Sequence, residues 1–174
     1  MLIVAAVVLV VGVVYFFWLR HIEFVKKAAI VLREFFFIAY ISSTVYLLLG
    51  IIFNPLITLT QVGSLFQGHG LSRDYVSYED MGANIKLAVI ASEDQLYPDH
   101  DGFDLKAIKV AMKYNKRHPN KVRGASTISQ QVAKNVFLWQ GRSWIRKGLE
   151  VYFTFMIELI WGKKRIMDVY LNVI

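Results

Sequence analysis

Two carboxylates and an amide-rich segment between them are the residues of this chain best suited to chemistry. Glu93 ends the apolar run AVIASE, and Glu150 ends RKGLE. Between them, residues 124–135 read GASTISQQVAKN. Gly124 leads into the hydroxyls Ser126 and Thr127, then the amides Gln130 and Gln131, then the cation Lys134. That order predicts a loop running into a helix N-terminus, where backbone N–H groups and side-chain donors converge on an oxygen-rich anion. Thr127 and Gln130 fit a capping box, T-I-S-Q, which accounts for those two but not for Gln131 or Lys134. Lys134 is the candidate phosphate cation.

Glu93 is expected on an apolar helix face, partly desolvated, as suits a general base. The plainer reading of Glu93 and Asp94 is an exposed acidic pair opening a loop. His100, seven residues after Glu93, has the reach to orient a carboxylate. Asp99, His100 and Asp101 do not have the spacing of a defined metal-ligand set. Arg146 and Glu150 read as a surface i,i+4 pair in the weaker orientation, base before acid, worth about 0.2–0.5 kcal/mol. Gly148 inside the same helix costs roughly 1 kcal/mol relative to Ala, which favours function over pure stability there.

These groups need elements to hold them. The 174 residues are 56% hydrophobic with a mean hydropathy of +0.43, too apolar for an ordinary soluble domain. The excess lies at the N-terminus: residues 1–19 and 35–53 contain no charged side chain. Each stretch is long enough to cross roughly 30 Å of hydrocarbon as a helix. Residues 1–53 are therefore read as an anchor of two transmembrane helices, 54–80 as a membrane-proximal connector, and 81–174 as one extramembrane domain. A loop carrying Arg20, Lys26, Lys27 and Arg33 between the spans is expected in the cytoplasm, with the domain outside.

The net charge of +7 belongs wholly to residues 81–174, which points to anionic head groups or an anionic substrate. No nucleic-acid module accompanies it, and nucleic acid is not expected as a partner. The absence of cysteine excludes disulfides and thiolate metal sites. Within the domain the periodicity predicts helices over 81–92, with Ile85, Ala88, Val89 and Ser92 on one face, and over 104–114, with Leu105, Ile108 and Met112 inward. A polar, basic loop follows at 115–125. Further helices start near Thr127, run from 143 to 161, and begin again at Lys164. The domain reads as mainly α.

In order along the chain stand EDQLYPDHDG (93–102), GASTISQQVAKN (124–135), RKGLE (146–150) and KRIMDVYLN (164–172). Together these resemble the biosynthetic peptidoglycan glycosyltransferases, most closely the monofunctional, membrane-anchored kind, over about residues 82–174. Tyr97 stands where that family commonly has Phe.

The resemblance implies a lysozyme-like, mostly helical fold and polymerisation of lipid II into glycan strands, with inversion and release of undecaprenyl pyrophosphate. By motif, Glu93 matches the general base and Glu150 the second essential carboxylate. Lys134, Arg142 and Lys147 match cations that stabilise the pyrophosphate, and Ser126 and Gln131 match polar substrate contacts. No cofactor is required by the sequence; magnesium or manganese assists some members.

The implied partners are lipid II, the growing strand, membrane lipids and proteins of cell-wall synthesis or division. The implied location is the bacterial inner membrane, with catalysis on its outer side. The basic loop 113–123 is expected to lean on the bilayer. The chain stops two residues after YLN, where the family continues, so an incomplete C-terminal part is expected. The alternatives are a lysozyme-like glycan hydrolase and an inactive cell-wall docking protein.

Overall fold

The structure is a computed structural model, and it describes residues 2–17, 22–55, 58, 75–141 and 143–174. The regular structure among those residues is helical, with no strand. The elements are α1 (Leu2–Phe17), α2 (Glu23–Ile52), α3 (Ala83–Glu93), a 3-10 turn (Tyr97–Asp99), α4 (Leu105–Arg117), α5 (Ile128–Phe137), α6 (Trp144–Ile160) and α7 (Gly162–Val173). The chain divides into two units, Met1–Tyr46 and Leu47–Ile174.

In the first unit the large apolar side chains of α1 between Val4 and Tyr15, and most of those of α2, are exposed, among them Phe35, Phe36, Phe37 and Ile38. An apolar surface of this extent is the kind that suits contact with hydrocarbon. α2 has 30 residues and is the one helix among the described residues long and apolar enough to cross a membrane. At 1.5 Å per residue it extends about 45 Å, whereas the 16 residues of α1 extend about 24 Å. Lys26, Lys27 and Arg33 lie on α2 and not in a loop. Their neighbours are good helix formers with no Gly or Pro, so the charges extend the helix instead of ending it. Arg20 and most of the 54–80 connector fall outside the described residues. Ser43 and Thr44 return their hydroxyls to the Tyr40 carbonyl, 2.9 Å each, which satisfies them without water.

The second unit is built around α5. Ile128, Val132, Ala133 and Val136 form its buried face. They pack on Met156, Ile157 and Trp161 at the end of α6 and on Ile166, Met167, Val169 and Tyr170 of α7. Each large apolar side chain buried this way contributes roughly 1.5–3 kcal/mol. The last turns of α2 belong to this unit. Gly50 lets the Trp161 ring approach so closely that a Cβ there would sit 2.6 Å from it. Trp161 Nε1 donates to the Leu47 carbonyl at 2.8 Å. Arg165 donates to the Gly50 and Phe53 carbonyls at 3.0 and 2.9 Å, satisfying carbonyls that a helix end leaves open. Arg165 is itself fixed by Asp168 at 2.5 Å.

α3 and α4 turn differently from the expectation. On α3 only Val89 of the four expected residues packs on the core, beside Ile90, while Ile85, Ala88 and Ser92 are exposed. On α4 the inward face is Ala107, Ile108, Ala111 and Tyr114, whereas Leu105 and Met112 are 65% and 67% exposed. Both faces of α4 carry apolar residues. α4 also runs to Arg117, so the polar loop begins later, at His118.

Candidate active site

The segment 93–102 wraps the N-terminus of α5, and three hydrogen bonds fasten the two together. Asp94, 7% exposed, accepts from the Ile128 backbone N–H at 3.0 Å. Thr127 Oγ1 donates to the Gly102 carbonyl at 2.7 Å. Gln131 Nε2 donates to Glu93 Oε2 at 2.8 Å. The capping box forms as the spacing predicts: Gln130 N–H donates to Thr127 Oγ1, and Thr127 N–H donates to Gln130 Oε1.

Asp94 is the residue that sequence reasoning missed. It is no exposed loop acid. His100 Nε2 lies 2.9 Å from its Oδ1, and its charge faces the positive end of α5. That placement offsets the unfavourable one at the C-terminus of α3. The available signal was the helix start at Thr127, which needed an anion, and a His six residues after Asp94. Gly102 allows the turn: its φ is +82°, and a Cβ there would meet Thr154 and Glu158 at 2.8 and 2.9 Å. Lys163 closes the loop from behind. It donates to the His100 carbonyl at 2.5 Å and to Glu158 at 2.7 Å, with Ser129 donating to the same carboxylate oxygen. Tyr97 is buried beneath, its hydroxyl donating to the Lys163 carbonyl at 2.8 Å. Burial pushes its phenol well above the ordinary value, so it remains a donor.

Glu93 is exposed, contrary to the desolvated placement expected, because α3 presents its last turn to solvent. Its orientation comes from Gln131, whose Oε1 lies 3.4 Å from the Tyr170 hydroxyl. Burial, and then the Glu93 charge, raise the Tyr170 pKa, which keeps that hydroxyl protonated. Glu93 and Ser126 line one cleft of about 380 Å³, together with Asp94, Arg123, Gly124 and Thr127. An exposed, fixed carboxylate facing a cleft can accept a proton from a bound hydroxyl.

Lys134 stands about one turn beyond Gln131 on α5, half-buried, and its ammonium has no partner among the described residues. Glu150 is not part of a surface pair: it is 3% exposed. Arg146 Nη1 donates to it at 2.9 Å, and Lys147 Nζ holds the other oxygen. One buried carboxylate between two cations leaves the cluster net positive, and removing the acid would leave charge uncompensated. Lys134, Lys147 and Glu150 do not line the cleft that holds Glu93 and Ser126. Arg142 lies outside the described residues.

Gly148 meets nothing within 4 Å at the position of a Cβ. Gly148→Ala is therefore expected to raise stability by about 0.5–1 kcal/mol, read as a higher midpoint of thermal unfolding. Among the described residues no three carboxylate or imidazole groups converge on a point that could hold an ion.

A family model described as transglycosylase matches residues 60–174. Relatives described as biosynthetic peptidoglycan transglycosylases include one from Haemophilus influenzae, 46% identical over 142 residues, covering 80% of this chain and 59% of the relative. One from Mannheimia succiniciproducens is 61% identical over 100 residues, covering 58% and 41%. One from Pseudomonas aeruginosa is 56% identical over 114 residues, covering 64% and 49%. The chain spans about half the length of the curated relatives it matches. The model's match takes in the loop at Glu93, the capped start of α5 and the buried Glu150 alike, and the chain belongs to the transglycosylase family.

Proposed function

We propose that this chain polymerises lipid II into peptidoglycan glycan strands, with Glu93 as general base. The observation that carries the reading is the cleft in which Glu93, held by Gln131, faces Ser126 and the backbone before α5. The Glu93 carboxylate takes the proton of the acceptor sugar's 4-hydroxyl. That oxygen attacks the anomeric carbon of the growing chain, and the bond from that carbon to the pyrophosphate oxygen breaks. Attack opposite the leaving group inverts the centre. The departing undecaprenyl pyrophosphate carries developing negative charge, which fixed cations stabilise. Lys134 suits that task because no carboxylate among the described residues neutralises it.

In this reading Lys147 and Arg142 add to the positive field, Glu150 sets the geometry of Arg146 and Lys147, and Ser126 and Gln131 contact substrate. α2 anchors the chain in the bacterial inner membrane, with the second unit on the outer side, where a lipid-linked substrate is concentrated in the same plane. No step is routed through a metal.

Lys134→Ala tests the assignment of the anion. Lipid II binding should weaken about tenfold or more, a loss of about 1.4 kcal/mol, with the thermal midpoint within a few degrees of the parent. Equal affinity for variant and parent, by fluorescence anisotropy of a labelled lipid II, would remove Lys134 from the site.

A further inference from the structure

The cleft that holds Glu93 is lined by one cation among the described residues, Arg123. The acids that line it are already engaged. Asp94 serves His100 and the Ile128 N–H, Asp104 accepts from the Ala107 N–H at 2.8 Å, and Glu93 accepts from Gln131. None of them pairs with the Arg123 guanidinium, which forms no ion pair among the described residues.

The backbone of Arg123, in contrast, is fixed. Asn115 on α4 accepts from the Arg123 N–H at 2.7 Å and donates to the Arg123 carbonyl at 3.0 Å. One side-chain amide thus satisfies both backbone groups of a residue eight positions away and closes 116–122 into a loop. The loop is tied down at its start as well, where His118 stacks on Tyr114 with ring centroids 4.3 Å apart. A Cβ at Gly124, the next residue, would meet nothing within 4 Å, so packing does not hold the chain there and the Asn115 amide does.

We propose that Arg123 binds the phosphate at the lipid-linked end of the acceptor sugar, and that Asn115 is the residue that positions it. The proposal rests on the glycosyl-transfer reading and deepens it. In that reaction two lipid-linked substrates meet, and each brings its own phosphates. Lys134, assigned to the departing pyrophosphate, does not line this cleft, whereas Glu93, which takes the acceptor's proton, does. The cation that shares the cleft with Glu93 therefore serves the acceptor, whose phosphate is retained through the reaction. A guanidinium presents paired N–H donors that match two oxygens of a phosphate. A neutral sugar would leave its charge unanswered. The cleft, about 380 Å³, is of the size that holds a small ligand.

Two labelled, peptide-free disaccharides serve as probes, one with a phosphate at its reducing end and one a methyl glycoside with the same sugars and no charge. Each is titrated by fluorescence anisotropy against the full chain in phosphatidylcholine nanodiscs. Arg123→Gln is expected to weaken the phosphate probe about tenfold or more and to leave the glycoside within about twofold. Arg123→Lys keeps the charge without the fork and should recover part of the loss. Asn115→Ala should weaken the phosphate probe about threefold or more, again sparing the glycoside; a purely structural role would weaken both alike. Should Asn115→Ala fail to fold by thermal unfolding, the Arg123 pair of variants decides. Equal affinity of parent and Arg123→Gln for the phosphate probe overturns the proposal. So does an equal loss for both probes, which would make Arg123 a wall of the cleft and not an anion site. The titration needs no turnover. A chain that binds the phosphate through Arg123 yet transfers no sugar sinks the glycosyl-transfer reading and keeps the site. A chain that transfers sugar, with Arg123→Gln at the parent's KM for the acceptor, sinks the site and keeps the reading.

Discussion

Glu93→Gln is expected to lower the rate of lipid II polymerisation ~10²–10⁴-fold, the usual contribution of a positioned general base. The variant keeps the shape of the side chain and an oxygen able to accept from Gln131 Nε2, so the hydrogen bond that orients residue 93 survives. What it loses is the ability to take a proton. Glu93 is exposed and belongs to no buried network, so its replacement should move stability by less than about 0.5 kcal/mol. The measurement pairs initial rates on labelled lipid II with thermal unfolding of the same preparation. A rate within tenfold of the parent would show that the proton leaves by another route. An equal fall in rate and in stability would mean that the side chain was structural.

Asp94→Ala should do the opposite, acting first on the fold. Its carboxylate serves His100 and the first backbone N–H of α5, both inside the protein. Removing it orphans two donors, at about 1–3 kcal/mol each, and withdraws the negative charge from the start of α5. Thr127 and Gln131 would lose register with Gly102 and Glu93, because all three connections join the same two segments. The expected result is a large fall in the midpoint of chemical denaturation and a loss of activity that follows it. Asp94→Asn keeps one acceptor oxygen and should recover part of the stability. If Asp94→Ala unfolds at the parent's midpoint, the wrapped loop is held by something other than this carboxylate.

The parts of the site that were legible in the sequence were those fixed by neighbours along the chain. Thr127 and Gln130 are three residues apart, and a capping box is a local device, so the start of α5 could be placed from spacing alone. What escaped depends on residues far apart. Asp94 meets Ile128 across 34 positions, and the His six residues after it does not by itself show that the acid is buried against a helix start. Glu150 and Arg146 look like a surface pair until α6 packs on α5 and buries the acid. α4 shows the limit of periodicity. Leu105 and Met112 make the stronger apolar stripe, yet Ala107, Ile108, Ala111 and Tyr114 face the protein. The position of α2 as one helix from Glu23 escaped because charges were read as a loop, although charge alone does not break a helix. Glu93 matches the family's base by its motif, but its exposure follows from the end of α3 facing solvent, which no local pattern reveals.

The most direct measurement presents the full chain, reconstituted in lipid, with two labelled substrates at once: lipid II in one colour and preformed glycan strands in another. Glycosyl transfer predicts that the lipid II label moves into polymer, that the glycan label is not released as shorter fragments, and that Glu93→Gln abolishes the transfer. Release of glycan fragments with no incorporation of lipid II, from a chain that unfolds cooperatively, would contradict the account and assign Glu93 to hydrolysis.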